Sequence, residues 1–534
     1  MKKTSFLQIL CGIGAVLILN FFLSLSFSLE KWFRISADLI IFLTILVGAV
    51  SFSRRQNFWV HLVSLSILVI WVFRIIDKLL EFTFQRSFTF SDIFLLPELN
   101  YLMDQSLTTF EIRLLFPLII VFFLISYLTI LVLTKWIASA FSVSSKRTIT
   151  GVLIGFGLIS LIQFILIKDS AMFNWTRGPL TMDIAILVSD AVNFKYNKEQ
   201  ISRKLKEENS FFTNSKYDLS ELDGTNVIVI FVESYGAVLV EEPELLEPYK
   251  KLLSEMQSKL ENKSFLMVNG YSEAPDSSWL SRLSFSTGTR IDNRATASLA
   301  VLSKLTTLNQ RFSQLGYHSL SVMPGVEEYK SHIESFFDFQ ERIRFWDMDW
   351  PKNKSVNGWA KIPDQYVLEW LGRKSIFKKN TSVYAEIVLS SSHSPYGLVP
   401  HYITNQQIDL EDYWSMIDTK KGSLGLFSHM AGSSNKYMTS IEYSLRSAFE
   451  FIEKYLVQDT LIILIGDHQP TALSTYSNLV PVHIISRKSN LLTSFQHIGF
   501  RKELFSPVSR GNITHEDFAK FLLQSYSCCK GVID

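Results

Sequence analysis

The feature that most constrains this chain is where its apolar residues lie. Long runs without charge crowd into the first third of its 534 residues, and a helix that crosses a bilayer needs about 20 such residues. Five runs answer to that description: Phe6–Leu29, Ile35–Phe52, Phe58–Ile76, Leu114–Leu133 and Ile149–Ile167. The third is the weakest, because Arg74 interrupts its end. The first is too long for a signal peptide and lacks a small-residue cleavage site, so it is read as a span. Positive charge between the spans orients them. With Lys2, Lys3, Arg54, Arg55, Lys135, Lys146 and Arg147 on the cytoplasmic side, an odd number of spans leaves everything after Lys168 outside the cytoplasm.

This reading divides the chain into a transmembrane domain of about five helices over 1–169, a juxtamembrane connector over 170–224 and an extracytoplasmic domain over 225–534. In the connector, Glu199–Phe212 has the pattern of a charged amphipathic helix, and a polar, turn-rich stretch follows it. The formal charge of +2 gives no reason to expect a nucleic-acid partner. Cys11, Cys528 and Cys529 form no CxxC or zinc-finger spacing, so the external domain depends on its core and not on a disulfide framework.

Apolar strands and helical patterns alternate through that external domain. Asn226–Val232, Ser319–Met323, Val383–Leu389, Leu461–Ile465 and Val482–Ile485 read as strands. Helical patterns occupy Glu244–Leu260, Leu302–Leu315 and Ser440–Leu456, and another helix opens near Ser278. Continuous apolar strands alternating with helices imply an α/β domain with a mostly parallel sheet sandwiched by helices.

Active sites of such sheets gather at the carboxyl ends of the strands. After Val232 comes Glu233, after Leu389 three serines and His393, and after Ile465 the run Gly466-Asp467-His468. Carboxylates and imidazoles are ligands suited to zinc or manganese. A lone Glu after a strand also suits a loop salt bridge, and a lone His a satisfied surface or core position. Their arrival at one sheet edge is what points to a metal site. Ser278 precedes an apolar helical pattern, so that its helix would direct free N–H groups toward an anion. Metal coordination would turn its hydroxyl into a nucleophile, although from this segment alone a plain N-cap is the first reading of the serine. His483 lies inside the strand pattern Pro481–Ile485 and is read first as a strand residue, second as a further ligand.

Taken in order, Val-Ile-Val-Ile-Phe-Val-Glu233-Ser, Ser277-Ser278-Trp279-Leu280, Gly358-Trp359 through Pro363-Asp364-Gln365-Tyr366, Ser390-Ser-Ser-His393-Ser-Pro-Tyr and Ile465-Gly-Asp467-His468-Gln-Pro resemble the alkaline phosphatase/sulfatase superfamily. The resemblance is to its bacterial membrane branch, which includes lipoteichoic acid synthase and the phosphoglycerol and phosphoethanolamine transferases. It implies an alkaline-phosphatase-like fold after a multi-span helical domain, in the bacterial cytoplasmic membrane, with the catalytic domain on the outer side. It also implies a divalent metal, zinc or manganese, held by Glu233, Asp467 and His468 together with Ser278, which is the nucleophile. His393 would bind the phosphoryl group or move a proton. The best-known transferases of the branch carry Thr where this chain has Ser278, which leaves Ser277 as an alternative. A glycerol-phosphate-binding Arg of lipoteichoic acid synthase has no match near residues 323–329. The sulfatase motif C/S-x-P-x-R is matched at Ser278 and Arg282 but broken by Leu280; Arg282 would support the transferred anion one helical turn from Ser278. The activity implied is transfer of a phospholipid headgroup, phosphoethanolamine or phosphoglycerol, from a membrane phospholipid donor to an envelope glycan or glycolipid acceptor. Hydrolysis at the same site, of a phosphodiester or a sulfate ester, and non-catalytic envelope binding are the alternatives.

Overall fold

The computed structural model describes residues 3–23, 35–84 and 109–142, isolated positions between 147 and 155, and 176–527 with gaps, the longest at 327–335 and 418–433. Most of the expected fifth span, and both Cys528 and Cys529, lie outside the described residues. The chain divides into two compact units, one covering most of 1–196 and the other 197–534. The division falls inside a single helix, Leu180–Asn209.

The first unit is helical, with α1 (Lys3–Leu23), α2 (Ala37–Phe52), α3 (Gln56–Phe84) and α4 (Thr109–Ser142). Among the described residues, Gln56–Ile76 and Phe116–Ser142 are long and apolar enough to cross a membrane; Leu7–Asn20 and Asp38–Ser51 are apolar but shorter. The helices meet through Leu19, Leu46, Ile67 and Ile137, and Ser64 Oγ lies 2.6 Å from Thr134 Oγ1 between α3 and α4. Arg74, the charge that weakens the third apolar run, is buried 3.9 Å from Asp38, a pairing that makes a charge tolerable in an apolar setting.

The second unit is built on one eight-stranded sheet. In chain order its strands are β1 (Asn226–Val232), β2 (Leu266–Glu273), β3 (His318–Met323), β4 (Glu341–Arg344), β5 (Val383–Leu389), β6 (Thr460–Gly466), β7 (Leu479–Ser486) and β8 (Ile513–Thr514). Their order across the sheet is β8-β2-β7-β6-β1-β5-β3-β4. Only β7 runs against its neighbours. Side chains alternate between faces: Ile228, Ile230 and Val232 enter one core, and Val227, Val229 and Phe231 the other. Both faces of β1 are therefore dry, which is why its sequence reads as an unbroken apolar run. Helices α5 (Pro243–Glu261), α7 (Asp364–Arg373) and α8 (Ser434–Tyr455) cover the first face; α6 (Ser278–Thr287) and α9 (His515–Ser525) cover the second.

The structure adds elements that the sequence pattern did not announce, among them β2, β4, β8, α7 and α9, and it shifts one that it did. The helix expected over Leu302–Leu315 begins later, as Leu308–Gln314, and a separate helix, Arg294–Leu302, ends where it was expected to start; at the start of the second, Gln310 Oε1 accepts the Thr307 N–H at 3.1 Å. Strand β2 escaped detection because Asn269, Gly270 and Ser272 break its apolar pattern. Those polar side chains are buried and satisfied from elsewhere in the chain, Ser272 Oγ by His515 Nδ1 at 2.8 Å.

Candidate active site

Register brings the site together. Strands β1 and β6 are parallel neighbours with Val232 opposite Gly466, and on its other side Val232 pairs with Leu389 of β5. Glu233, Asp467 and the serine turn before His393 therefore leave the sheet at one level from three adjacent strands. The two inner turns approach so closely that a Cβ on Gly466 would lie 2.0 Å from the carbonyl oxygen of Tyr235; only glycine fits directly before Asp467. Ser234 takes a left-handed conformation, φ 55°, which costs a non-glycine residue of order 1 kcal/mol or more. In that conformation its N–H donates to Asp467 Oδ1 at 2.8 Å and its hydroxyl to Glu233 Oε1 at 2.9 Å.

Ser278 is the first residue of α6, after the extended N-cap Ser277. Its hydroxyl donates to Glu233 Oε2 at 3.0 Å and lies 3.1 Å from His468 Nε2. His468 Nε2 is 3.2 Å from Glu233 Oε1 and 3.7 Å from Asp467 Oδ2. One ligand atom each from Glu233, Asp467 and His468 lie within 4.8 Å of one another. His468 Nδ1 is 2.6 Å from the Gln469 carbonyl, which accepts its N–H and turns Nε2 toward the carboxylates, where a bound cation would take the place of the Nε2 proton. Ser281, one turn into α6, donates its hydroxyl to the Asp467 carbonyl and ties the helix to this turn.

The charges are not balanced by the protein alone. Burial and the charge of Glu233 push the Asp467 carboxyl up. Burial opposes ionisation of Glu233 as well, but His393, His468 and the Ser234 hydroxyl outweigh it and hold that carboxyl well below its usual range. Burial works against a charged His468, yet the two carboxylates raise its pKa to about 10. Asp467 Oδ2 is buried without a hydrogen-bond partner, a costly state for a carboxylate oxygen. Three convergent anionic or lone-pair donors, a hydroxyl beside them and an orphaned carboxylate oxygen fit a divalent cation, which would displace the proton now shared with His468.

His393 follows the turn after β5, with Nδ1 2.5 Å from the Ser394 carbonyl, and it acts on the Glu233 carboxylate through space. Arg282 stands elsewhere than expected. Its Nε donates to Glu386 Oε2 at 2.8 Å in a fully buried ion pair, and its guanidinium lies over Phe337 at 4.3 Å. The nearest carboxylate lies inside the sheet, and the buried guanidinium is paired with it. His483 is a core residue, with Nε2 2.7 Å from the Tyr235 hydroxyl, and burial alone lowers its pKa to about 3. Sequence reasoning overlooked Ser444, and took in Ser234, Ser392 and Asp364 only as parts of motifs. Their signal is tertiary, since each bonds across long stretches of chain.

No protein-family model matches the chain, and no curated protein matches it. Among solved structures the chain is similar to the integral membrane protein lipooligosaccharide phosphoethanolamine transferase A from Neisseria meningitidis, over 96% of each chain at 12% identity and a TM-score of 0.43. It is similar to a phosphoglycerol transferase from Streptococcus pyogenes, solved with sn-glycerol-1-phosphate, over 64% of this chain and 88% of that one, at 13% identity and a TM-score of 0.33. It is also similar to a protein in the alkaline phosphatase superfamily from Vibrio parahaemolyticus, at 18% identity and a TM-score of 0.33, over 50% of this chain and 60% of that one.

Proposed function

We propose that the chain is a metal-dependent transferase that moves a phospholipid headgroup through a covalent intermediate on Ser278 to a cell-envelope glycan or glycolipid. The observation that carries this reading is the Ser278 hydroxyl, 3.0 Å from Glu233 and 3.1 Å from His468 at the start of α6. A helix start whose N–H groups face an anion and a serine held against metal-type ligands are what phosphoryl transfer requires. The headgroup and acceptor classes come from the resemblance of the ordered motifs, and phosphoethanolamine and phosphoglycerol are the two headgroups it offers.

Glu233, Asp467 and His468 would hold the ion, zinc or manganese, with Ser278 as the fourth donor. The bound ion supplies Lewis-acid polarisation of a phosphoryl oxygen and lowers the pKa of the serine hydroxyl. Ser278 Oγ, its proton lost to solvent, attacks the phosphorus of the headgroup diester. The bond from phosphorus to the diacylglycerol oxygen breaks, and diacylglycerol leaves with a proton delivered by His393. The headgroup phosphate is left esterified to Ser278, its oxygens facing the first N–H groups of α6. An acceptor hydroxyl then attacks the same phosphorus and gives its proton to His393, while the bond from phosphorus to Ser278 Oγ breaks and Ser278 regains a proton from solvent. In this reading the enzyme sits in the bacterial cytoplasmic membrane with the second unit outside, beside its lipid donor.

The test is mass spectrometry of the full-length protein after incubation with mixed phospholipids and zinc or manganese. The expected result is an adduct on the Ser278 peptide whose mass identifies the headgroup. An adduct on Ser277 moves the nucleophile by one residue. Lipid turnover without any protein adduct refutes the covalent route.

A further inference from the structure

Behind the proposed ligands runs a second layer of hydrogen bonds that the reaction above does not use. Its centre is Asp364, the first residue of α7, which is 0% exposed. Its carboxylate accepts the N–H of Ser390 at 2.9 Å, the N–H of Ser391 at 3.2 Å to either oxygen, and the hydroxyl of Ser444 on α8 at 2.7 Å. In return the N–H of Asp364 donates to Ser391 Oγ at 2.9 Å. One side chain thus closes the turn that follows β5. Convergence of two N–H groups and a hydroxyl calls for several lone pairs at one point, which a carboxylate supplies. Its place at a helix start offsets part of the cost of burying it.

The turn passes this order on to the site. Ser392 donates its hydroxyl to the backbone carbonyl of Glu233 at 2.6 Å, and Ser444 Oγ lies 3.3 Å from Ser392 Oγ. Tyr437, about two turns before Ser444 on the same face of α8, donates to the carbonyl of Ser234 at 2.8 Å. The strained turn that carries Glu233 is therefore gripped from the α8 side at two successive carbonyls.

We propose that Asp364 is a positioning residue of the site: it sets the turn after β5 and, through Ser392, fixes the backbone of Glu233 in the orientation that presents its carboxylate to the metal. The proposal rests on the reading of Glu233 as a metal ligand. Residues that orient metal ligands in this way typically contribute about 10–100-fold to metal affinity.

The experiment is zinc titration of the full-length protein in detergent against a competing chelator, with the thermal midpoint recorded for each variant. Asp364→Ala should weaken zinc binding by about tenfold or more. Asp364→Asn keeps one oxygen for the Ser390 and Ser391 N–H groups, and its amide donates to Ser444. It should stay within about threefold of wild type. Ser392→Ala removes the last link alone and should give a smaller loss in the same direction. Wild-type zinc affinity in Asp364→Ala overturns the proposal, and so does a loss in Asp364→Asn as large as in Asp364→Ala. If Asp364→Ala does not fold, Ser392→Ala and Ser444→Ala decide; unchanged zinc affinity in both overturns it. Because the readout is metal binding, weakened zinc in Asp364→Ala beside a wild type that transfers no headgroup would refute the reaction and spare the positioning role. Transfer by wild type with unaltered zinc binding in the variants would do the reverse.

Discussion

Helix α6 contributes to two clusters of buried charge built on opposite plans. In one, Arg282 meets Glu386 at 2.8 Å, and the other Glu386 oxygen accepts from Tyr384 at 2.9 Å and Ser286 at 3.2 Å. Each Glu386 oxygen has its donors and its charge has a counter-charge, so the cluster is complete without any outside partner. In the other, Glu233 and Asp467 share one imidazole, and Asp467 Oδ2 has no hydrogen-bond partner. Buried charge that the protein satisfies fully acts as structure. Buried charge left short of a cation marks a place where something else is to bind.

The contrast predicts different losses from substitutions on the same helix. Ser278→Ala should lower headgroup transfer by at least about 10³-fold while the fold and most of the zinc affinity persist, as measured by turnover, thermal midpoint and zinc titration. Near-normal turnover would remove Ser278 from the chemistry. Arg282→Met, one turn further on, should instead cost stability. Breaking a buried pair from one side costs about 3–5 kcal/mol, read by denaturant unfolding of the metal-loaded protein. A change below 1 kcal/mol would show that Glu386 finds another partner.

Two buried histidines that belong to neither cluster should add to the unit's sensitivity to acid. Burial lowers His483 and His515 to about 3, against about 6.5 in an unfolded chain. Their folded pKa values are depressed, so the unfolded state takes up protons first as the pH falls. Stability should be unaffected by them above about pH 6.5 and should decline below it toward pH 3. The slope approaches about 1.4 kcal/mol per pH unit for each histidine. Thermal midpoints between pH 8 and pH 4 check this; a flat profile across that window would contradict the buried neutral state.

The smallest change in stability is expected at Asp467. Asp467→Asn resembles the protonated form that burial and Glu233 already favour, and its carbonyl oxygen still accepts from Ser234 and His468. Metal-free stability should stay within about 1 kcal/mol of wild type, while zinc affinity falls at least about tenfold. A large loss of metal-free stability would place Asp467 with Glu386 as a structural charge.

Some of this molecule is legible without coordinates. The runs at β1, β5 and β6 are continuous and apolar because both faces of a central parallel strand are dry, so strand identity survives in composition alone. A polar residue directly after such a run must leave the sheet at its carboxyl edge, which made Glu233, His393, Asp467 and His468 visible as candidates. The apolar runs of the first unit are legible for a similar reason, since length and the absence of charge are properties of the chain itself.

What the chain alone did not decide depends on direction and on partners distant in sequence. Whether Ser277 or Ser278 faces the ligands is a matter of helix phase, and one residue turns a side chain by about 100°. Arg282 shares a helical face with Ser278, but its long side chain goes to whichever carboxylate is nearest in the folded molecule, and that is Glu386 inside the sheet. Strand β2 carries polar residues in its interior because His515 and Ser506 arrive from the far end of the chain to satisfy them. Asp364 has no chemistry that distinguishes it from any helix-starting aspartate until Ser390, Ser391 and Ser444 converge on it. A hydrogen bond is a local interaction in space, and the pairings that orient this site join residues whose separation along the chain leaves no periodic trace in the sequence.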